Sequence, residues 1–213
     1  MSERSERADY DPAPDELVDD DVWSMVEATG DYVGQRAEGI EMGDVVVRGG
    51  RWSGAVLEGL RAFAVTFEDC DLSGLSLHED PVLQTVTFRR CRLDGATFSG
   101  ARLRDVRFEG CAFGDGNLRG LDAERVTFDN TVLVGADLHA ARLHEVRVEN
   151  CDLRGSDWTK ARLHSVDLRG SRLEDLRGAD ALRGATVDSS QVVSLAFSFA
   201  VALGLNVVDD DSG

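Results

Sequence analysis

From Phe88 onward every fifth residue is apolar: Phe88, Leu93, Phe98, Leu103, Phe108 and Phe113, continuing unbroken to Leu173 through eighteen positions. The residues two places earlier, from Val86 and Cys91 to Val166 and Ser171, never carry a charge, although 30% of the chain is charged. Nearly all the Arg, Asp and Glu of this stretch occupy the other three places of each unit. A helix repeats near 3.6 residues and an ordinary strand near 2, so neither element explains the pattern. Two inward and three outward residues per unit require a chain that turns a corner every five residues. Glycines at 54, 59, 74, 95, 100, 110, 120, 135, 155 and 170 fall two residues after the apolar centre, where a tight turn can require positive φ.

A second period is laid over the first. Val86, Val106, Val126, Val146 and Val166 recur every twenty residues, as do Cys91, Cys111, Thr131, Cys151 and Ser171. Four units therefore make one coil. Coils stacked at a strand spacing of about 4.8 Å place identical inward side chains in dry columns. The register extends upstream through Val47, Trp52, Leu57, Ala62, Phe67, Leu72 and Leu77, then slips by one residue at Asp80-Pro81 before Leu83, which predicts a small bulge there. The expected fold is an all-β, four-sided solenoid of about 6 to 7 coils, roughly 30 Å long at that rise.

Ala136-Asp137-Leu138 and Cys151-Asp152-Leu153-Arg154-Gly155 follow the pattern A(D/N)LxG, and on these motifs the chain resembles the pentapeptide-repeat family over about residues 45 to 187. The resemblance implies a right-handed quadrilateral β-helix. The run LRGATVDSSQVVSLAFSFAVALGLNVV also resembles the ending of gyrase-protecting, quinolone-resistance members, which implies a closing helix that forms a dimer.

Both flanks differ from the repeats. Residues 188–213 open with Asp188 as an N-cap and Gln191 completing a capping box, and Gly204 marks the helix stop. The helix between is apolar on two stripes: Val192, Leu195, Ala196 and Phe199, expected to cap the last coil, and Val193, Phe197 and Val201. The second stripe is either buried in the same cap or, the favoured reading, a homodimer interface. Residues 1–44 hold fourteen Asp and Glu against three Arg. There a short helix around Val18, Val22, Trp23, Met25 and Val26 is expected as an N-terminal cap, and the first dozen residues are expected to be disordered.

Charge narrows the function classes. The formal net charge is -17, which argues against direct contact with nucleic acid and allows a basic partner or mimicry of DNA. Residues 45–187 contribute only -2 of it, residues 1–44 contribute -11, and the residues from Asp188 onward -4. No apolar stretch is long enough to cross a membrane and the N-terminus has no signal-like core, so a cytoplasmic protein is expected. Cys70, Cys91, Cys111 and Cys151 have no CxxC spacing. Stacked one per coil, they suit small inward fillers better than a zinc tetrahedron, and vertical disulfides do not suit a reducing compartment. His144 and His164 are expected as neighbours on an outer face near Glu124, more a solvated ladder than a metal site. No serine has a base at a fitting position and no loop cradles phosphate, so neither catalysis nor a cofactor is expected.

Two functions stay open. The ending favours a DNA-mimicking protein that binds DNA gyrase, with Asp71, Asp94, Asp115, Asp152, Glu174 and Asp175 as the candidate acidic face. The alternative is a structural or adaptor scaffold whose acidic N-terminal segment recruits a basic protein. A continuous acidic stripe would favour the first and mixed ladders the second.

Overall fold

The computed structural model describes residues 10–206 and 208. They form a parallel-strand solenoid of about 7 coils closed by one C-terminal helix. Most strands have three residues, as at Thr87–Arg89 and Arg102–Arg104, because the corner after each unit ends the extended run. Each coil has four faces, named here by their centres in one coil: Phe88, Leu93, Phe98 and Leu103. The Phe88 and Leu103 faces join in one 14-stranded parallel sheet. The Phe98 face begins as a 3-stranded sheet and continues as isolated rungs, and the Leu93 face is isolated rungs throughout.

Coils pair in register, Phe88 opposite Phe108 and Phe108 opposite Phe128, so like side chains stack. The rings of Phe67, Phe88, Phe108 and Phe128 lie nearly parallel, with successive centroids 5.1, 4.8 and 4.7 Å apart. That is the coil rise itself. The corner residue is left-handed whether or not it is glycine. Gly120 has φ 63°, but Thr85 at 56°, Arg125 at 53° and Asn130 at 47° adopt the same turn. The stacking imposes the corner, at about 1 kcal/mol or more for each side chain forced into it.

The expected bulge is present. Phe67 pairs with Phe88, an offset one residue longer than the Phe88–Phe108 step, and the insertion lies at Glu79 and Asp80, both with positive φ.

The N-terminal expectation is corrected. No helix spans Val18 to Val26; Val22–Ser24 and Val26–Ala28 are strands, pairing with Glu41–Gly43 and with Val46 and Val47. Asp20 and Met25 turn corners at φ 60° and 53°, which a helix cannot accommodate. The physical reason is the open edge of the next coil: a paired strand satisfies its backbone groups, and a helix would leave them bare. Coil pairing thus runs through residues 22–44 instead of starting at 45. The end is plugged by Trp23, Tyr32 and Trp52, whose ring centroids lie 4.3 to 5.8 Å apart. Tyr32 donates its hydroxyl to the Pro14 carbonyl at 2.6 Å. Asp11–Pro12 pair with Val26 and Glu27, and the rest of the segment expected to be disordered, residues 1–9, lies outside the described residues.

At the other end the helix Ser189–Ala202 carries the expected capping box of Asp188 and Gln191, and Gly204 follows with φ 73°. Its inward face matches expectation at Leu195, which is buried, and at Phe199, which packs against the core, and differs elsewhere. Gln191, Leu195 and Ser198 are buried, while Val192 and Ala196 are exposed. The coil edge presents carbonyls, so polar side chains pack there: Gln191 Nε2 donates to Leu168 O at 2.6 Å and to Ser171 O at 2.7 Å.

Candidate interaction surfaces

The outer faces are laced by ion pairs between coils. On the Phe88 face Arg48, Glu68, Arg89 and Glu109 follow one another on successive strands, with Arg48 to Glu68 at 3.3 Å and Arg89 to Glu109 at 3.1 Å. Arg90 reaches Asp69 at 2.7 Å and Glu68 at 2.9 Å, and its hydrogen bonds hold both carboxyls below their ordinary range. Arg125 does the same for Asp105 at 2.7 Å. Each exposed pair is worth little alone, at most about 1 kcal/mol. Together they neutralise much of the wall of the rod, although on the Phe88 face Glu109, Asp129 and Glu149 follow one another as three acids.

The six candidate acidic residues share the Leu93 face without making a continuous stripe. Asp71 and Asp152 stand on one ladder that reads Asp31, Arg51, Asp71, Arg92, Ala112, Val132, Asp152, Arg172. Asp71 lies 3.8 Å from Arg92, and Asp152 is gripped by Arg154 at 2.7 Å and Arg172 at 3.4 Å, which lowers its pKa. Asp94 accepts the Gly114 amide at 2.9 Å. Glu174 lies 3.9 Å from Arg172, and Asp115 and Asp175 turn corners at φ 50° and 58°. The face is therefore mixed.

Two regions stand apart from these ladders, although at the second Arg48 reaches Glu27 and Arg51 reaches Asp31 at 2.9 Å. One is the outer stripe of the C-terminal helix, where Val193, Phe197 and Val201 are 78%, 59% and 58% exposed. The other is the N-terminal end: residues 10–44 hold eleven acidic side chains against Arg36 alone. On the Leu103 face of the same end, exposed Val22, Met25 and Phe63 line and border a predominantly apolar groove of about 320 Å³.

Residues 101–177 match a family model described as a pentapeptide repeat region. The solenoid has the fold of a pentapeptide-repeat β-helix. It is similar to HetL, a pentapeptide repeat protein involved in heterocyst differentiation regulation from the cyanobacterium Nostoc sp. strain PCC 7120, with a TM-score of 0.65 and 18% identity over 82% of this chain and 87% of that one. Trypsin-treated QnrB1, a plasmid-mediated fluoroquinolone resistance protein, gives a TM-score of 0.42 at 16% identity over 91% of this chain and 99% of its own. A pentapeptide repeat protein from the Arabidopsis thaliana thylakoid lumen gives 0.43 at 19% over 54% and 74%. No curated protein matches the chain.

Within the pentapeptide-repeat core, Cys70, Cys91, Cys111 and Cys151 form one inward column with Thr131 and Ser171, and all four thiols are free and buried. They are more than fillers. Cys91 donates to Phe67 O at 3.4 Å, Cys111 to Phe88 O at 3.4 Å, Thr131 to Phe108 O at 3.3 Å and Ser171 to Val148 O at 2.7 Å. The interchange of Cys, Thr and Ser at one position, each a short donor, was the sequence signal for this role. Burial pushes the Cys151 thiol up to about 12, so it stays protonated and inert. The His144 and His164 rings stack at 4.8 Å on paired strands. Among the described residues no group of three or more His, Cys, Asp or Glu is placed to hold a metal ion, and no helix is long and apolar enough to cross a membrane.

Proposed function

We propose that the pentapeptide-repeat rod is a non-catalytic protein-binding adaptor that joins a basic partner at its N-terminal coils to a second copy of itself at its C-terminal helix. The observation that carries this reading is the segregation of charge. Ion pairs neutralise much of the middle of the rod, whereas residues 10–44 keep eleven acids against one Arg, with only Glu27 and Asp31 reached by the neighbouring Arg48 and Arg51. Fields from such a pole attract and orient a basic surface, and screening by salt weakens them. The exposed stripe of Val193, Phe197 and Val201 supports self-association. We assign the protein to the cytoplasm, where free buried thiols persist.

The other reading, a DNA mimic that binds DNA gyrase, draws on the C-terminal ending and its exposed helix. A mimic of that kind needs negative potential along the rod, and the alternating ladders weigh against it.

The test captures partners from the source cells on the full chain and on a variant with Asp19→Asn, Asp20→Asn, Glu41→Gln and Asp44→Asn. An adaptor retains basic proteins that the variant loses. Equal capture by both, or inhibition of gyrase supercoiling by both at micromolar concentration, would overturn it. For self-association, Phe197→Glu with Val201→Glu should convert a dimer to a soluble monomer by light scattering.

A further inference from the structure

We infer that the groove on the Leu103 face of the first coils is the docking site of that basic partner, and that it takes an apolar side chain of the partner between Gly43 and Phe63. This rests on the adaptor reading and specifies its surface. Outward positions along a repeat rod face water and are polar almost everywhere; the exposed large apolar residues ahead of the C-terminal helix gather instead at Val22, Met25 and Phe63, with Val18 just upstream and Val33 and Val132 standing singly on the Leu93 face. An isolated exposed Val needs no explanation, but a cluster marks a contact surface.

The sequence builds the groove from one rung. Ser24, Gly43, Phe63 and Gln84 pair across four successive strands, so a position without a side chain lies beside one that projects an aromatic ring. A Cβ added at Gly43 would meet nothing within 4 Å, which makes Gly43 an open floor and Phe63, 52% exposed, its wall. Val22 and Val82 close the neighbouring rung with Glu41 and Arg61. Sockets of this shape, an apolar floor walled by an aromatic ring, are where interface energy concentrates.

Charge selects the occupant. Glu41 lines the groove, Asp44 follows it on the same strand, and Asp19, Asp20 and Asp21 lead into Val22–Ser24, with Arg61 the single base lining the groove. A second copy approaching with its own acidic end would be repelled, and residues 1–9, MSERSERAD, offer no bulky apolar side chain after Met1. A segment that presents Lys or Arg around a Leu, Phe or Trp satisfies both the rim and the floor.

The experiment uses the full chain, titrated by calorimetry at low and raised salt with a Lys/Leu amphipathic peptide and with oligolysine. The informative variant is Phe63→Glu. It removes the wall and adds negative charge, so attraction by charge alone would strengthen binding, whereas docking in the groove predicts a loss of about tenfold or more. Gly43→Leu fills the floor without changing charge and should give the same loss, with Val132→Glu unaffected and all folds verified by thermal melts. If the variants bind the Lys/Leu peptide as the wild type does, the groove is overturned while the adaptor stands. If the wild type binds neither probe, the adaptor falls and the groove with it. Concentration-dependent assembly abolished by Phe63→Glu would make a second copy the occupant and overturn the basic partner.

Discussion

Replacing Gln191 should release the C-terminal lid, because a single buried amide closes the last coil. Gln191 is 4% exposed, and its Nε2 donates to two carbonyls of that coil while its Oε1 accepts the Asp188 amide at 2.8 Å. In Gln191→Leu the volume is kept but Ser171 O loses its donor while Leu168 O keeps only the Ser171 amide at 3.3 Å, and a buried unsatisfied carbonyl costs about 1 to 3 kcal/mol. Loss of the reciprocal capping contact adds up to about 1 kcal/mol. With the weakened Leu168 carbonyl included, the expected destabilisation is about 2 to 4 kcal/mol. Urea melts should be followed by far-UV circular dichroism for the helix and by tryptophan emission for the coils. Trp158 reports on the C-terminal coils and Trp23 and Trp52 on the opposite end. Because neighbouring coils stabilise each other only locally, the first transition should be confined to the helix and the Trp158 end. A Gln191→Leu protein within about 0.5 kcal/mol of wild type, the range of an ordinary surface change, would refute this account of how the rod is sealed.

Three further outcomes are expected. Phe108 is fully buried between the rings of Phe88 and Phe128, so Phe108→Ala should cost about 3 to 5 kcal/mol in denaturant melts; Glu109→Ala on the outer wall should cost under about 1, and equal losses would contradict the register. Gly178 combines φ 70° with a would-be Cβ only 2.4 Å from the Thr159 backbone nitrogen, so Gly178→Ala should lose more than the roughly 1 kcal/mol of a left-handed alanine, and Gly120→Ala, with open space, should not exceed it. The Asp188 carboxyl is held below its ordinary pKa by the Ser190 hydroxyl and the Gln191 and Gly170 amides. Its contribution is therefore present above pH about 4 and lost as pH falls through the lowered value, so Asp188→Asn should flatten the acid limb of a stability profile; an unchanged limb would count against the cap.

The register from Phe88 to Leu173 was legible because burial forbids charge at two places in five, and the Asp80-Pro81 slip was legible because it breaks that count. The N-terminal coils were misread because Val18, Val22, Trp23, Met25 and Val26 mix helical and strand spacing. What decides between them is the edge presented by Glu41–Arg48, a partner twenty residues away. The inward face of the last helix was misread for a related reason. Apolarity marked Val192 and Ala196, but the coil edge demands donors, and Gln191 answered it. The groove was invisible because its ingredients, Val22, Gly43 and Phe63, lie far apart in sequence and only the rungs bring them together.

The ladders of the Phe88 and Leu93 faces carry a phase as well as a sign. Arg48, Glu68, Arg89 and Glu109 alternate from one coil to the next, as do Asp31, Arg51, Asp71 and Arg92. Inside, the buried columns stay uncharged from coil to coil; outside, a coil matches only the next but one. Excising a single coil from this part of the rod would leave the Phe stack continuous and yet bring Arg against Arg or Glu against Glu along two edges. Excising two would restore both. A chain that grows or shrinks by duplication is thereby biased toward two-coil steps here, and the wall, not the core, keeps the count.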